Sequence, residues 1–178
     1  MCSSDLWAMM ETPLAVLNAG AIASTAADPN SRLSILVMGV NDLARETRAR
    51  LGRGRAAMLP WLATCVAAAR AHGADILDGV FGDIGDAEGL RAECEQGRDM
   101  GFDGKTIIHP AQIHACNAVF SPSDEEIAWS RRVIAAFEQP ANAGRGAIAL
   151  EGRMIERLHA DIAARTLAIA DALAKQAG

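Results

Sequence analysis

The sequence has no excess of basic residues, no paired cysteines and no long apolar run, and each absence removes a class of function. Its 17 Lys and Arg are outnumbered by 22 Asp and Glu, and the net charge of -5 argues against a nucleic-acid surface. The nearest approach to a basic patch is RETRARLGRGR, residues 45–55. It reads as a solvated helix end and loop. It lacks the glycine-lysine pattern of a phosphate loop, so contact with substrate phosphates is the minor reading. Cys2, Cys65, Cys94 and Cys116 are scattered without CxxC spacing, as expected of reduced thiols in a cytoplasmic protein rather than a disulfide frame or zinc site. No stretch is apolar for long enough to cross a bilayer. The first residues lack a basic segment followed by an apolar one, so no secretion signal is expected. Trp7, Trp61 and Trp129 are not spaced as a nucleotide-stacking platform and are read as core or helix-packing residues.

What is present is apolar and alternates in kind. Hydrophobic residues make up 51% of the chain and charged residues 22%, a balance that favours a folded domain over disorder. The 178 residues suffice for one domain with a real core. Four short apolar runs stand between helical segments: LWAMM before Glu11, RLSILVMG at 32–39, ADILDGVFG at 74–82 and GKTIIHP at 104–110. Near-continuous apolar strands separated by amphipathic helices indicate a parallel sheet covered by helices. The helix ends are readable too. Thr12 caps the first, with Pro13 in its first turn. Pro60 is expected near the start of a helix that stops at Gly73, or else to kink it. Asp86 opens another that stops at Gly101. Ser123 and Glu126 have capping-box spacing ahead of a helix that ends before Pro140.

Each strand ends in polar residues: Glu11, then Asn41-Asp42, then Asp78 and Asp83, then His109. Ligands sit at the carboxyl ends of the strands in parallel α/β folds. Glu11 and Asp42 have two readings of equal standing here. They could face one hard cation such as Mg2+, with waters and substrate oxygens completing the octahedron. Each could instead cap a helix or pair with an arginine such as Arg32 or Arg45. Asp78 reads as a buried structural aspartate, Asp86 as a helix cap, and Asp83 has no clear role. Lys105 is better read as the partner of a neighbouring strand-end carboxylate than as a Schiff-base lysine. His109 is better read as bonded to backbone at a strand-helix corner than as a general base.

The segments METP, MGVNDLA, ILDGV, GFDGKTIIHPAQI and FSPSDEEIAWSRRVIAAF follow the order and spacing of the HpcH/HpaI aldolase and citrate lyase beta-subunit family, which this chain resembles from about Leu6 onward. The block GFDGKTIIHPAQI followed by FSPS is the most specific piece. The chain looks most similar to the free-standing malyl-CoA, methylmalyl-CoA and citramalyl-CoA lyases. The resemblance implies a TIM-like (β/α)8 barrel in which Glu11 and Asp42 hold Mg2+, with Mn2+ as the alternative ion. It implies retro-Claisen cleavage of a 3-hydroxyacyl-CoA into an acyl-CoA and a 2-oxoacid, and a homo-oligomer, trimeric or hexameric in the full-length family. LEGRMIERLHADIAAR is similar to the helical lid that follows the barrel and reaches over a neighbouring subunit's site. The acid/base aspartate of that lid is here Glu156, one methylene longer. Its bland reading is a solvated helix residue beside Arg153 and Arg157.

The four strands match strands five to eight of such a barrel, so the expected fold is α/β, the second half of a TIM-like barrel followed by a C-terminal helical lid. Residues 1–6 are expected to be a non-native leader, 7–138 the half barrel, 139–151 a linker and 152–178 the lid. The family's acidic DLEDAV-like segment, the arginine of the third strand and the lysine of the fourth are not found. Two alternatives stand beside the lyase: a non-catalytic fragment that binds metal or associates with itself or a homologue, and a class II aldolase acting on free oxoacids, which would lack the lid. A half barrel leaves two open sheet edges. The chain by itself is therefore expected to show no turnover of malyl-CoA or citramalyl-CoA with Mg2+. A coupled assay against a Glu11→Ala control checks this, and turnover above that control contradicts it.

Overall fold

A computed structural model describes residues 5–177, apart from the side chains of residues 176 and 177, and divides the chain after Phe120. Most of the leader expected at 1–6 lies outside the described residues. In the first unit, β1 (Leu6–Met10) is followed by the short helices α1 (Pro13–Leu17) and α2 (Ala19–Ser24), β2 (Leu33–Met38) and α3 (Val40–Thr47). Then come α4 (Leu59–His72), β3 (Asp75–Asp78), α5 (Ala87–Met100), β4 (Gly104–Lys105) and α6 (Ile113–Phe120). The four strands form one parallel sheet in the order β1-β2-β3-β4, as the alternation of apolar runs and helices predicts.

Local chemistry sets the helix boundaries. The Thr12 hydroxyl accepts from the Ala15 N–H at 3.1 Å, with Pro13 in the first turn where its missing N–H costs nothing. Asp86 accepts from the Gly89 N–H at 2.8 Å and starts α5. Gly73 (φ 73°) and Gly101 (φ 96°) end α4 and α5 in the left-handed region that a Cβ disfavours.

Two strands are shorter than their apolar runs. Asp78 accepts from the Gly79 N–H at 2.8 Å, a local bond that competes with the ladder, and β3 stops there. Past β4, the Gln112 amide oxygen accepts from the Ile108 N–H at 3.0 Å, and its Nε2 donates to the Phe81 carbonyl at 2.9 Å. This buried side chain replaces the strand pairing that GKTIIHP would otherwise continue.

The main core lies between the sheet and α1 to α4. Met10, Leu36, Met38, Leu43, Leu62 and Ile76 are all within about 1% of full burial, each contributing roughly 1.5–3 kcal/mol. A smaller core joins α5 and α6 through Leu90, Cys94, Cys116 and Val119. Trp61 packs against the main core as expected, but Trp7 does not: it is 55% exposed on the edge strand β1, which no further strand covers among the described residues.

The second unit begins at Ser121. It holds α7 (Asp124–Glu138), β5 (Ala147–Leu150), β6 (Arg153–Glu156) and α8 (Arg157–Ala177). Ser123 and Glu126 complete the expected capping box at the start of α7. An antiparallel β5–β6 hairpin stands where the sequence predicts the end of a linker and the start of a helix, and the helix expected from residue 152 starts at Arg157. Glu151 (φ 51°) and Gly152 (φ 78°) make a two-residue turn whose handedness matches strand twist. Val133, Phe137, Ile148, Ile155 and Ala163 form its core, with Trp129 packed against it.

Burial pushes the Cys65 thiol from its ordinary value of 9.0 up to about 11. Burial, then the hydrogen bond with Cys116, pushes Cys94 up to about 12. The unfolded chain therefore loses these protons first. Their stability contribution is full below pH 9 and is lost as the pH rises through 11 to 12. Urea unfolding followed from pH 7 upward is expected to show a falling midpoint above pH 9 that Cys65→Ser reduces.

Candidate functional site

Only Glu11 separates the last residue of β1 from the cap of α1, so the strand delivers a carboxylate to its carboxyl end. The parallel ladder runs one step further, because the Gly39 N–H donates to the Met10 carbonyl at 3.1 Å. That step sets Gly39 beside Glu11. A Cβ at Gly39 would lie 2.3 Å from the Glu11 Cβ and 2.9 Å from its Oε2. Gly39 has φ -96°, so it is required for space and not for conformation. The Glu11 side chain therefore lies across the end of β2, where α3 starts. It is half-buried, and no described side chain holds its carboxylate.

Asp42 stands in the first turn of α3 and pairs with Arg45 at 3.0 Å, one of the two partners considered from the sequence. Both side chains are substantially exposed, at 47% and 73%, and such pairs contribute about 0–1 kcal/mol. Glu11 and Asp42 thus stand at the carboxyl ends of two paired neighbouring strands. Among the described residues no three His, Cys, Asp or Glu side chains are grouped to hold a metal ion. The donor chemistry fits Mg2+, which keeps several waters and takes one or two carboxylates, better than the closed site of structural zinc.

A second set of charges is fully internal. Asp78, at the end of β3, accepts from Arg55 Nη1 at 2.7 Å and from Lys105 Nζ at 3.0 Å. Glu93 on α5 accepts from Lys105 at 2.7 Å and lies 3.4 Å from Arg55 Nε. The Gln96 amide oxygen accepts from Arg55 Nε at 3.1 Å and Nη2 at 2.9 Å. Two positive and two negative side chains close on one another, which offsets the cost of removing them from water. Asp78 and Lys105 are thereby paired as the sequence suggests. Arg55 is different: the basic run reads as solvated, yet Arg55 is 3% exposed with φ 51°. Only the flanking Gly52 and Gly54 hint at a turn there.

Beside this cluster lies a cavity of about 530 Å³. Its lining includes Asn41, Leu51, Arg53, Arg55, Phe81 and Asp86. Asn41 precedes Asp42 in α3, but neither Asp42 nor Glu11 lines the cavity. Asp83 lines it too and accepts from the Gly85 N–H at 3.0 Å. His109 does what its corner position suggests: its Nδ1 accepts from the Ala111 N–H at 3.2 Å. In the second unit, Glu156 ends β6, is half-buried, and donates its backbone N–H to His159 Nδ1 at 2.9 Å.

Comparison with known proteins extends the reading. Residues 2–110 match the family model described as HpcH/HpaI aldolase/citrate lyase. The chain is 54% identical over 169 residues to a (3S)-malyl-CoA thioesterase of Cereibacter sphaeroides, covering 95% of this chain and 58% of that protein. It is 42% identical over 100 residues to an L-malyl-CoA/beta-methylmalyl-CoA lyase of the same species, covering 54% of this chain and 31% of the lyase. Among solved structures, it superposes with a TM-score of 0.76 and 33% identity on protein CitE from Mycobacterium tuberculosis in complex with magnesium, acetoacetate and coenzyme A. That match covers 96% of this chain and 62% of CitE. The chain thus spans about three fifths of the thioesterase's length.

Asp78 carries the heaviest structural demand. Asp78→Asn leaves Arg55 and Lys105 with Glu93 as their single carboxylate, and is expected to cost about 3–5 kcal/mol. Urea denaturation of the variant against the parent chain measures this, and a loss below about 1 kcal/mol contradicts it.

Proposed function

Since the chain belongs to the HpcH/HpaI aldolase/citrate lyase family, we propose that it carries the metal-binding strand ends of an enzyme acting on a 3-hydroxyacyl-CoA of the malyl-CoA or citramalyl-CoA type. The observation that carries this reading is the Glu11 side chain laid over Gly39, next to the helix turn that bears Asp42. Glu11 and Asp42 would hold Mg2+, or Mn2+ in its place. When bound, the ion supplies Lewis-acid polarisation and a template for the substrate's hydroxyl and carboxylate oxygens. Among the described residues no cation is paired with Glu11, and Asp42 gives up only an exposed pair with Arg45. Glu156 is the proposed acid/base, taking the hydroxyl proton as the C–C bond breaks and a 2-oxoacid departs from the acyl-CoA. Association of several copies accompanies this reading, with the α8 unit as the lid.

Hydrolysis of the thioester is the second reading, favoured by the 54% identity to a protein named as a malyl-CoA thioesterase. The two reactions differ in their products. Hydrolysis frees the CoA thiol, whereas carbon-carbon cleavage keeps the thioester and releases a 2-oxoacid. Thiol titration with a disulfide reagent beside a 2-oxoacid assay separates them.

The metal reading is tested on the chain itself by calorimetric titration with Mg2+ and Mn2+. Glu11→Gln and Asp42→Asn are each expected to weaken the ion about tenfold or more while leaving the circular dichroism spectrum unchanged. Undiminished binding in both variants would defeat the reading.

A further inference from the structure

We infer that Cys94 and Cys116 form an oxidation site, in which a hydroperoxide joins the two thiols in a disulfide that ties α6 to α5. The proposed reaction at the strand ends uses neither residue. They lie 22 positions apart on successive helices, and their sulfurs meet at 3.5 Å. Joining them closes that contact to roughly 2.05 Å. Leu90 and Val119 complete an apolar pocket around the pair. Cys65 is equally buried but stands in the main core, and no second thiol partners it among the described residues. The sequence shows only scattered cysteines, and the packing of α5 on α6 brings two of them into contact.

Burial decides the order of the two steps. Cys94 is 0% exposed. Burial, then the bond with Cys116, pushes its thiol up to about 12, with Lys105 acting against that shift and Asp78 adding to it. It stays protonated at neutral pH and is a poor first nucleophile. Cys116 keeps 6% exposure on a helix of eight residues, where His114 and Asn117 are exposed. The Cys116 sulfur attacks the terminal peroxide oxygen. The O–O bond breaks, water or an alcohol leaves with the thiol proton, and Cys116 becomes a sulfenic acid. The Cys94 sulfur then attacks the Cys116 sulfur. The S–O bond breaks, and the hydroxide leaves as water with the Cys94 proton. Two electrons pass from the thiol pair to one hydroperoxide. The new bond closes a loop that contains β4, which restricts the unfolded chain. It also fastens α6 to the helix whose Glu93 and Gln96 hold Lys105 and Arg55.

The test uses the full chain with Cys2→Ser, which removes the one thiol outside the described residues. After treatment with hydrogen peroxide, the chain is expected to lose two hydrogens in intact mass and to yield, on digestion, a peptide pair joined between Cys94 and Cys116. Cys65 is expected to remain open to alkylation once the chain is unfolded. The urea midpoint is expected to rise, and dithiothreitol to restore both mass and midpoint. Adding Cys94→Ser is expected to leave Cys116 as a sulfenic acid that a dimedone probe labels, whereas adding Cys116→Ser leaves Cys94 a free thiol. The joined peptide is read without either substitution, so a variant that fails to fold does not remove the test. Absence of the cross-link at a dose that converts Met154, 70% exposed, to its sulfoxide overturns the site. So does a cross-link that involves Cys65. Dimedone labelling of Cys94 in the Cys116→Ser chain overturns the order of attack, and a cross-link that lowers the urea midpoint overturns the tie between the helices.

Discussion

The pairing of β1 with β2 is the constraint on which the candidate site depends. Its register sets Met10 opposite Met38 and carries one further bond to Gly39, so a glutamate and a glycine become neighbours across the strand ends. The missing side chain of Gly39 is the room into which Glu11 extends. The same ladder brings the start of α3 to that edge, and with it Asp42. A one-residue slip would turn Glu11 to the other face of the sheet and separate the two carboxylates.

Around this edge the molecule uses charge in two different ways. Among the described residues Glu11 has no ionic partner and Asp42 only the exposed Arg45. Asp78, Glu93, Arg55 and Lys105 sit further inside and neutralise one another. Their closed geometry ties the ends of β3 and β4 to α5 and to the loop at 53–55. That loop, with left-handed backbone at Gly54 and Arg55, forms part of the cavity wall. The buried cluster therefore fixes one wall of the cavity.

Much of the fold could be read because its signals are local. Thr12, Asp86 and Ser123 cap helices through bonds to residues three positions away, and Gly73 and Gly101 end helices through their own φ values. Long-range partners leave no such local mark in the sequence. Arg55 belongs to a run of arginines that looks solvated, and its partners lie 23 to 41 residues away. The apolar run at 104–110 looks like a full strand, yet the buried Gln112 side chain takes its backbone bonds. Trp7 has core chemistry but sits on an edge strand whose outer side no described strand covers. The β5–β6 hairpin hides in a short stretch whose only mark is Glu151-Gly152.

Chain chemistry alone determined the alternation of apolar strands and capped helices, the acidic residues at the strand ends, and the family to which these motifs belong. All of these are written in spacing along the backbone, which folding preserves. Tertiary structure decided which strand-end charges are free and which are spent, because that depends on groups distant in sequence meeting in space. Glu11 stays available since Gly39 makes room for it, while Asp78 is consumed by Arg55 and Lys105. Both begin as carboxylates at the end of an apolar strand, and only packing separates their roles.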